Sequence, residues 1–235
     1  MLTSWDKLPD YMKTSEVKPY YDTLKKHRFS LLIKRLFDLI AASILLVLLA
    51  FPMLVIALWI KMDSPGPVFY RQERVTKNGK RFKIHKFRTM VVNADKIGTA
   101  VTVGEDKRIT RAGEKLRRLR LDELPQLFDV INGDMSFVGA RPEVSKYVEQ
   151  FEPEYFATLL LPAGITSEAS IRYKDESKLL DSADDVERFY IEQVLPNKMK
   201  WNLSELRCFN LGRQLGTMLK TVAAVCGVDF NQGEK

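Results

Sequence analysis

Two cysteines and two histidines are all this 235-residue chain has of the side chains that build disulfide frameworks, zinc sites and histidine triads. Cys208 and Cys226 form no CxxC pair and join no Cys/His cluster, so neither a disulfide scaffold nor a zinc site is indicated, and a reduced cytosolic setting fits. With only His27 and His85 available, triad mechanisms and His-rich metal centres lose most of their support. There is no internal repeat and no low-complexity tract. A second apolar run of membrane-spanning length is also missing, which sets polytopic arrangements aside. The chemistry therefore falls to carboxylates, arginines and lysines.

What is present is an ordinary globular composition, 46% hydrophobic and 29% charged, with length for one or two compact domains. The net charge is +7 and the sequence pI about 9.3. Such a balance points to an anionic partner: nucleic acid, phospholipid headgroups or a phosphorylated substrate.

From Leu39 to Ile60 run 22 residues without a charge, LIAASILLVLLAFPMLVIALWI. As a helix they would measure about 33 Å, enough to cross a bilayer. The run begins too late and is too long for a signal peptide, and a soluble helix apolar all round would need a larger protein about it. Pro52 removes one helical hydrogen bond, so a bend is expected there. Residues 1–35 carry eight Lys/Arg against four acids, and residues 61–90 nine against two. The positive-inside rule wants both flanks on the cytoplasmic side, which a helix-break-helix entering and leaving by one face satisfies. A kinked bitopic anchor is the competing reading.

The chain then divides into four parts: a peripheral arm over 1–33, the membrane helix-break-helix over 34–61, a cytosolic domain over 62–201, and a C-terminal amphipathic helix and tail over 202–235. Asp63-Ser-Pro-Gly-Pro is a turn signal. Alternating segments 68–75 and 80–87 around Asn78-Gly79 predict a β-hairpin. Residues 92–107 read as a loop or short helix followed by an irregular stretch. Helices are expected from Thr110 and from about Leu124, the latter stopping at Asn132-Gly133. Residues 143–160 look helical, 161–166 form a loop, and another helix is expected around 182–195. The fold class is α+β and mainly α-helical.

Three arginines, Arg117, Arg118 and Arg120, precede the carboxylates of RLDELPQL, Asp122 and Glu123, which lie at the start of the second helix. A carboxylate there is commonly a cap. The same environment would lower an aspartate's pKa and keep it ionised as a nucleophile or a ligand to a hard cation. Both readings stay open on the residues alone. Lys83, Lys86 and Arg88 in FKIHKFRTM are a solvated face, a headgroup-binding face or part of a site. His85 among them reads as structural. Gly139-Ala-Arg-Pro places the Arg141 guanidinium on a tight loop.

Taken in order, KRLFD at 34–38, the apolar run with its proline, SPGPVFYRQERVTKNGKRFKIHKFRTM, LRLDELPQLFDVINGDMSFVGARPE and PAGIT resemble the small monotopic phosphoglycosyl transferases, the bacterial sugar transferase family. The resemblance runs from Lys34 to about Arg207. It implies transfer of a sugar-1-phosphate from a UDP-sugar to polyprenyl (undecaprenyl) phosphate, with Asp122 attacking the β-phosphate, UMP leaving and a phosphosugar-aspartate forming. It further implies Mg2+ at Asp122, Glu123 orienting the site or handling a proton, and Lys86, Arg88, Arg117 and Arg141 receiving phosphate. Arg172 and Lys174 are assigned to nucleotide or sugar. Pro52 would break a re-entrant helix in the bacterial inner membrane, the catalytic domain facing the cytoplasm among membrane phospholipids. A homodimer is allowed. Two departures stand out. Ala140 replaces the family's usual proline, and PAGITSEASIRYKDES replaces the common PGITG with its tryptophan-containing continuation. Outside the resemblance, a non-enzymatic basic membrane adaptor is the alternative, and nucleic-acid binding is not expected, no DNA- or RNA-binding motif being evident.

Overall fold

The apolar run becomes the middle of a single helix of 36 residues, α2 (Arg28–Asp63), about 54 Å long. A computed structural model of the chain describes residues 2–94, 106–174, 176–180, 183, 185–225 and 227–228; most of the irregular stretch expected near 92–107, and Cys226, lie outside them. Pro52 sits inside α2, and helix is kept on both sides of it, so the expected bend is no interruption of helical structure. Among the described residues α2 alone is long and apolar enough to cross a membrane.

One stripe of α2 packs and the opposite stripe does not. Ala42, Leu45, Leu46 and Leu49 meet Phe82, Ile84, Leu127, Val130 and Met135, and Met53, Ile56 and Ile60 continue against Phe87 and Leu116. The spacing is that of one helical face. Ile44, Val47, Leu48, Phe51, Leu54 and Leu58 on the other side stay exposed. Because both faces are apolar, periodicity in the sequence could not say which one packs.

Polar contacts fix both ends of this stripe. Arg35 donates to the carbonyls of Val130 (2.6 Å) and Ile131 (3.0 Å) at the C-terminal end of α4 (Gln126–Asn132). Asp38 accepts from the Ser136 hydroxyl at 2.8 Å, and Lys34 donates to the same hydroxyl. At the far end Asp63 accepts the Ala112 N–H at 3.1 Å, helping to start α3 (Arg111–Arg118), whose N-cap is Thr110.

The hairpin forms as its sequence predicts. β1 (Phe69–Val75) pairs antiparallel with β2 (Arg81–Phe87), Phe69 opposite Phe87 and Val75 opposite Arg81. Asn78 and Gly79 both take the left-handed conformation in the turn, with φ of 56° and 74°. A second, two-stranded parallel sheet joins β3 (Met135–Val138) to β4 (Ala163–Thr166). β4 falls where the sequence reads as loop, and β3 in a stretch to which the sequence assigns no element.

The N-terminal arm is more than peripheral. Leu8, Met12, Val17 and, on α1 (Lys18–Lys26), Tyr20, Tyr21 and Leu24 are buried in one cluster with Ala157, Leu159, Leu160, Leu203, Leu206 and Phe209. The expected helix over 143–160 divides into α5 (Ser145–Val148) and a 3-10 helix, Pro153–Leu160. After α6 (Glu168–Arg172) and α7 (Glu176–Leu180), the helix expected near 182–195 runs on: α8 (Val186–Phe189), a π-turn over Tyr190–Val194 and α9 (Leu195–Arg207). The boundary placed at 201/202 falls inside α9, whose Leu203 and Leu206 are core residues. α10 (Leu211–Val225) follows with Leu215, Leu219 and Val222 exposed.

Candidate active site

The carboxylate pair occupies a 3-10 turn, Leu121–Glu123, between α3 and α4. Arg120 opens the turn with a left-handed φ of 56°, a conformation that costs a non-glycine residue about 1–2 kcal/mol. Neither carboxylate caps a helix: the N-cap of the turn is Arg120, that of α4 is Pro125, and neither start has a side-chain cap bond. The capping reading therefore fails, since the turn puts both side chains inward, Asp122 8% and Glu123 9% exposed.

Glu123 is tied to two cations. Lys86 on β2 reaches it at 3.1 Å, and Arg141 from the loop after β3 binds it with both terminal nitrogens, Nη1 at 3.4 Å to Oε2 and Nη2 to Oε1. Burial works against ionisation of Glu123, but the charges of Arg141 and then Lys86 outweigh it and hold the carboxyl well below the usual glutamate range. The charge of Glu123 in turn keeps Arg141 firmly protonated. Burial, by contrast, draws the Lys86 ammonium down.

Asp122 is in the opposite position. Its Oδ1 is buried and has no hydrogen-bond partner among the described residues. Burial raises its pKa, the Lys86 charge opposes that, and the Glu123 charge adds to it. The expectation that its surroundings lower this pKa is thus corrected: the helix start offers no bond to the carboxylate, and desolvation prevails. Arg117 and Arg120 lie within electrostatic range of Asp122 and favour its ionised form. Arg117 is half-buried.

Two predicted site residues are engaged elsewhere. The Arg88 guanidinium donates to the carbonyls of Ser64 and Pro65, each at 2.7 Å, and to the Ser64 hydroxyl at 2.9 Å. It closes the C-terminal end of α2, where carbonyls without helical partners attract a cation. Arg172 on α6 lies 3.7 Å from the ring centroid of Trp201 and 3.4 Å from Glu168. His85 is structural as expected, its Nδ1 2.6 Å from Asp129 Oδ1 and its backbone N–H bound to the same carboxylate.

Residues that sequence reasoning passed over complete the surroundings. Arg74 on β1 donates to the Pro142 carbonyl at 3.2 Å, next to Arg141. Gln126, in the same DELPQ segment as the pair, is fully buried, and neither amide atom has a hydrogen-bond partner among the described residues. Only its adjacency to the carboxylates could have pointed to it.

No group of three or more His, Cys, Asp or Glu gathers among the described residues to form a protein-only metal cage. A hard divalent cation does not need one: Mg2+ keeps several waters and takes one or two carboxylates with substrate phosphates. The unpaired Asp122 oxygen fits that donor set, whereas the Glu123 oxygens already face Lys86 and Arg141.

Comparison with known proteins narrows the chemistry. A UDP-N-acetylgalactosamine-undecaprenyl-phosphate N-acetylgalactosaminephosphotransferase of Aeromonas hydrophila is 43% identical over 142 residues, 59% of this chain and 34% of that protein. UDP-glucose:undecaprenyl-phosphate glucose-1-phosphate transferases of Caulobacter vibrioides and Escherichia coli K12 are 35% and 38% identical, over 83% and 76% of this chain and 70% and 39% of their own lengths. The chain thus spans about a third of the Aeromonas relative and most of the Caulobacter one. The model of the bacterial sugar transferases matches residues 29–226, from the first turn of α2 past the end of α10, and with the carboxylate turn inside that span the chain belongs to the bacterial sugar transferase family.

Proposed function

We propose that the protein transfers a sugar-1-phosphate from a UDP-sugar to undecaprenyl phosphate or a similar polyprenyl phosphate, with Asp122 as the nucleophile. The observation carrying this reading is the contrast within the pair. Glu123 is neutralised by Lys86 and Arg141, and Asp122 is left unpaired beside the same cations.

In the first half-reaction an Asp122 oxygen attacks the β-phosphorus of the donor. The bond to the bridging oxygen breaks, UMP departs with that oxygen, and the sugar phosphate stays on the carboxylate as an acyl phosphate. In the second, an oxygen of polyprenyl phosphate attacks the same phosphorus, giving the polyprenyl diphosphate sugar and restoring Asp122. Lys86, Arg141 and Arg117 bind and orient the phosphates. Glu123, held ionised, acts as the fixed counter-charge that aims Lys86 and Arg141; a carboxyl held so far down is no proton donor near neutral pH. Mg2+ would be held by Asp122 together with the diphosphate, where it neutralises charge on the phosphates and eases departure of UMP.

The membrane reading is supported by the packing of α2. Its middle residues touch the hairpin, α3 and α4 along their length, which a straight span normal to the bilayer would prevent. A monotopic helix, with its exposed stripe in lipid and both ends on the cytoplasmic face of the inner membrane, is the arrangement we infer. Incubation with UDP-sugars, undecaprenyl phosphate and Mg2+ should release UMP, and Asp122→Ala should reduce that release by at least about a thousandfold. Release at the parental rate by Asp122→Ala would defeat the mechanism.

A further inference from the structure

Behind the loop that carries Arg141 lies a second group of buried ionisable side chains that the proposed chemistry does not use. Glu143, Tyr190 and Lys198 are 7%, 2% and 5% exposed. The Tyr190 hydroxyl donates to Glu143 Oε1 at 2.9 Å, and Lys198 Nζ lies 3.0 Å from that hydroxyl and 3.4 Å from Glu143 Oε1. The same ammonium reaches Glu176 Oε2 at 3.2 Å. A buried lysine is costly unless paired, and this one is paired on both sides.

The geometry connects the group to Arg141 by two routes. Along the chain, Arg141 stands between two anchor points of one loop. On its near side Gly139 N–H donates to Thr166 and Gly164 N–H to Ala140. On its far side Arg74 holds the Pro142 carbonyl, Val75 N–H holds the Glu143 carbonyl, and Lys198 with Tyr190 holds the Glu143 carboxylate. Through space, Glu176 is a second acidic charge acting on Arg141, after Glu123. Lys198 therefore fixes the end of the loop and a counter-charge of its guanidinium together.

We propose that Lys198 is a positioning residue for Arg141, acting through Glu143 and Glu176. This rests on the reading of Arg141 as a phosphate-binding group. Glu176 lies at the end of the 167–177 segment in which the chain departs from the common family pattern. Lys198 thus ties that divergent segment to the shared arginine loop.

The test compares the full-length parent with Lys198→Met, Lys198→Arg, Glu176→Gln and Arg141→Gln in detergent or nanodiscs. Lys198→Met is expected to raise the KM for the UDP-sugar about tenfold with a smaller change in kcat, and Lys198→Arg to restore part of it. Combined with Arg141→Gln, it should add little to the loss from Arg141→Gln alone. Additive losses, or a parental KM, overturn the proposal. Glu176→Gln, at a partly exposed site, carries the same comparison if Lys198→Met does not fold. Hydrogen exchange over residues 139–143 needs no turnover: measured well below each variant's melting temperature, Lys198→Met or Glu176→Gln should raise it, and unchanged exchange overturns the proposal. If the parent releases no UMP from any UDP-sugar while that exchange rises, the reaction assignment fails and the positioning role stands.

Discussion

At Asp122 burial outweighs the surrounding positive charge, and that has a consequence for stability. Its folded pKa is raised above the ordinary value of 3.8, so the folded chain binds the proton more tightly than the unfolded one. The group favours folding below that ordinary value and opposes it as the pH rises through the folded pKa. Asp122→Asn should therefore stabilise the protein at pH 7, by about 0.5–2 kcal/mol, while abolishing UMP release. Denaturation midpoints of variant and parent should converge as the pH is lowered. Glu123 has the opposite sign: its folded pKa is depressed, so its contribution is present above the ordinary value and lost as the pH falls. Glu123→Gln should cost about 1–3 kcal/mol at pH 7, and less in acid. Arg88 makes a different prediction from its neighbour Lys86. Arg88→Met should lower stability by about 2 kcal/mol through the unpaired carbonyls of Ser64 and Pro65, with UMP release per folded molecule near the parent's. The pair, Lys86 and Arg141 were legible in the sequence because each sits in a motif of its own. The destinations of Arg88 and Arg172 were not, because residue spacing does not say where a long guanidinium side chain reaches.

Elements show the same division. The hairpin was legible because alternation and an Asn-Gly turn are local signals. The parallel pair β3–β4 was not, because its four-residue strands meet across a long crossover and neither carries a strand signal alone. That pair nevertheless sets where Arg141 stands. Gly164 packs so closely on Gly139 that a Cβ at 164 would lie 2.2 Å from the Gly139 backbone nitrogen and oxygen. Backbone cannot move aside as a flexible side chain can, so Gly164→Ala should destabilise by about 1–3 kcal/mol. It should also weaken UDP-sugar binding in the folded fraction, measured as a rise in KM. The N-terminal arm was misjudged for a related reason: Met12, Tyr20 and Leu24 find their partners in residues 157–209, too distant for any local pattern to reveal.

On the scale of the whole molecule, the feature that matters is that one long helix has two unlike faces. Its packed stripe completes the core under the hairpin and α4, and its exposed stripe, from Ile40 through Val47 and Phe51 to Leu58 and Met62, is covered by none of the described residues. The basic flanks at residues 1–35 and 61–90 agree with both ends lying at one membrane face. Single cysteines introduced at Ser30 and at Met62, in a background lacking Cys208 and Cys226, should react with an impermeant maleimide from the same side of sealed vesicles. Labelling from opposite sides would replace the monotopic arrangement with a bitopic one.

The bond from Ala112 N–H to Asp63 acts as a ruler. It joins the last residue of α2 to the first turn of α3, and α3 spans eight residues, about 12 Å, before the carboxylate turn. The reach from the end of α2 to Asp122 is thereby fixed. On the proposed monotopic arrangement, an acceptor phosphate on a membrane-held tail meets Asp122 only where that reach keeps it at headgroup height. Lengthening α3 by one turn would carry the carboxylates about 5 Å further from Asp63 and away from Lys86 and Arg141, so the spacing from α2 is held by the site itself.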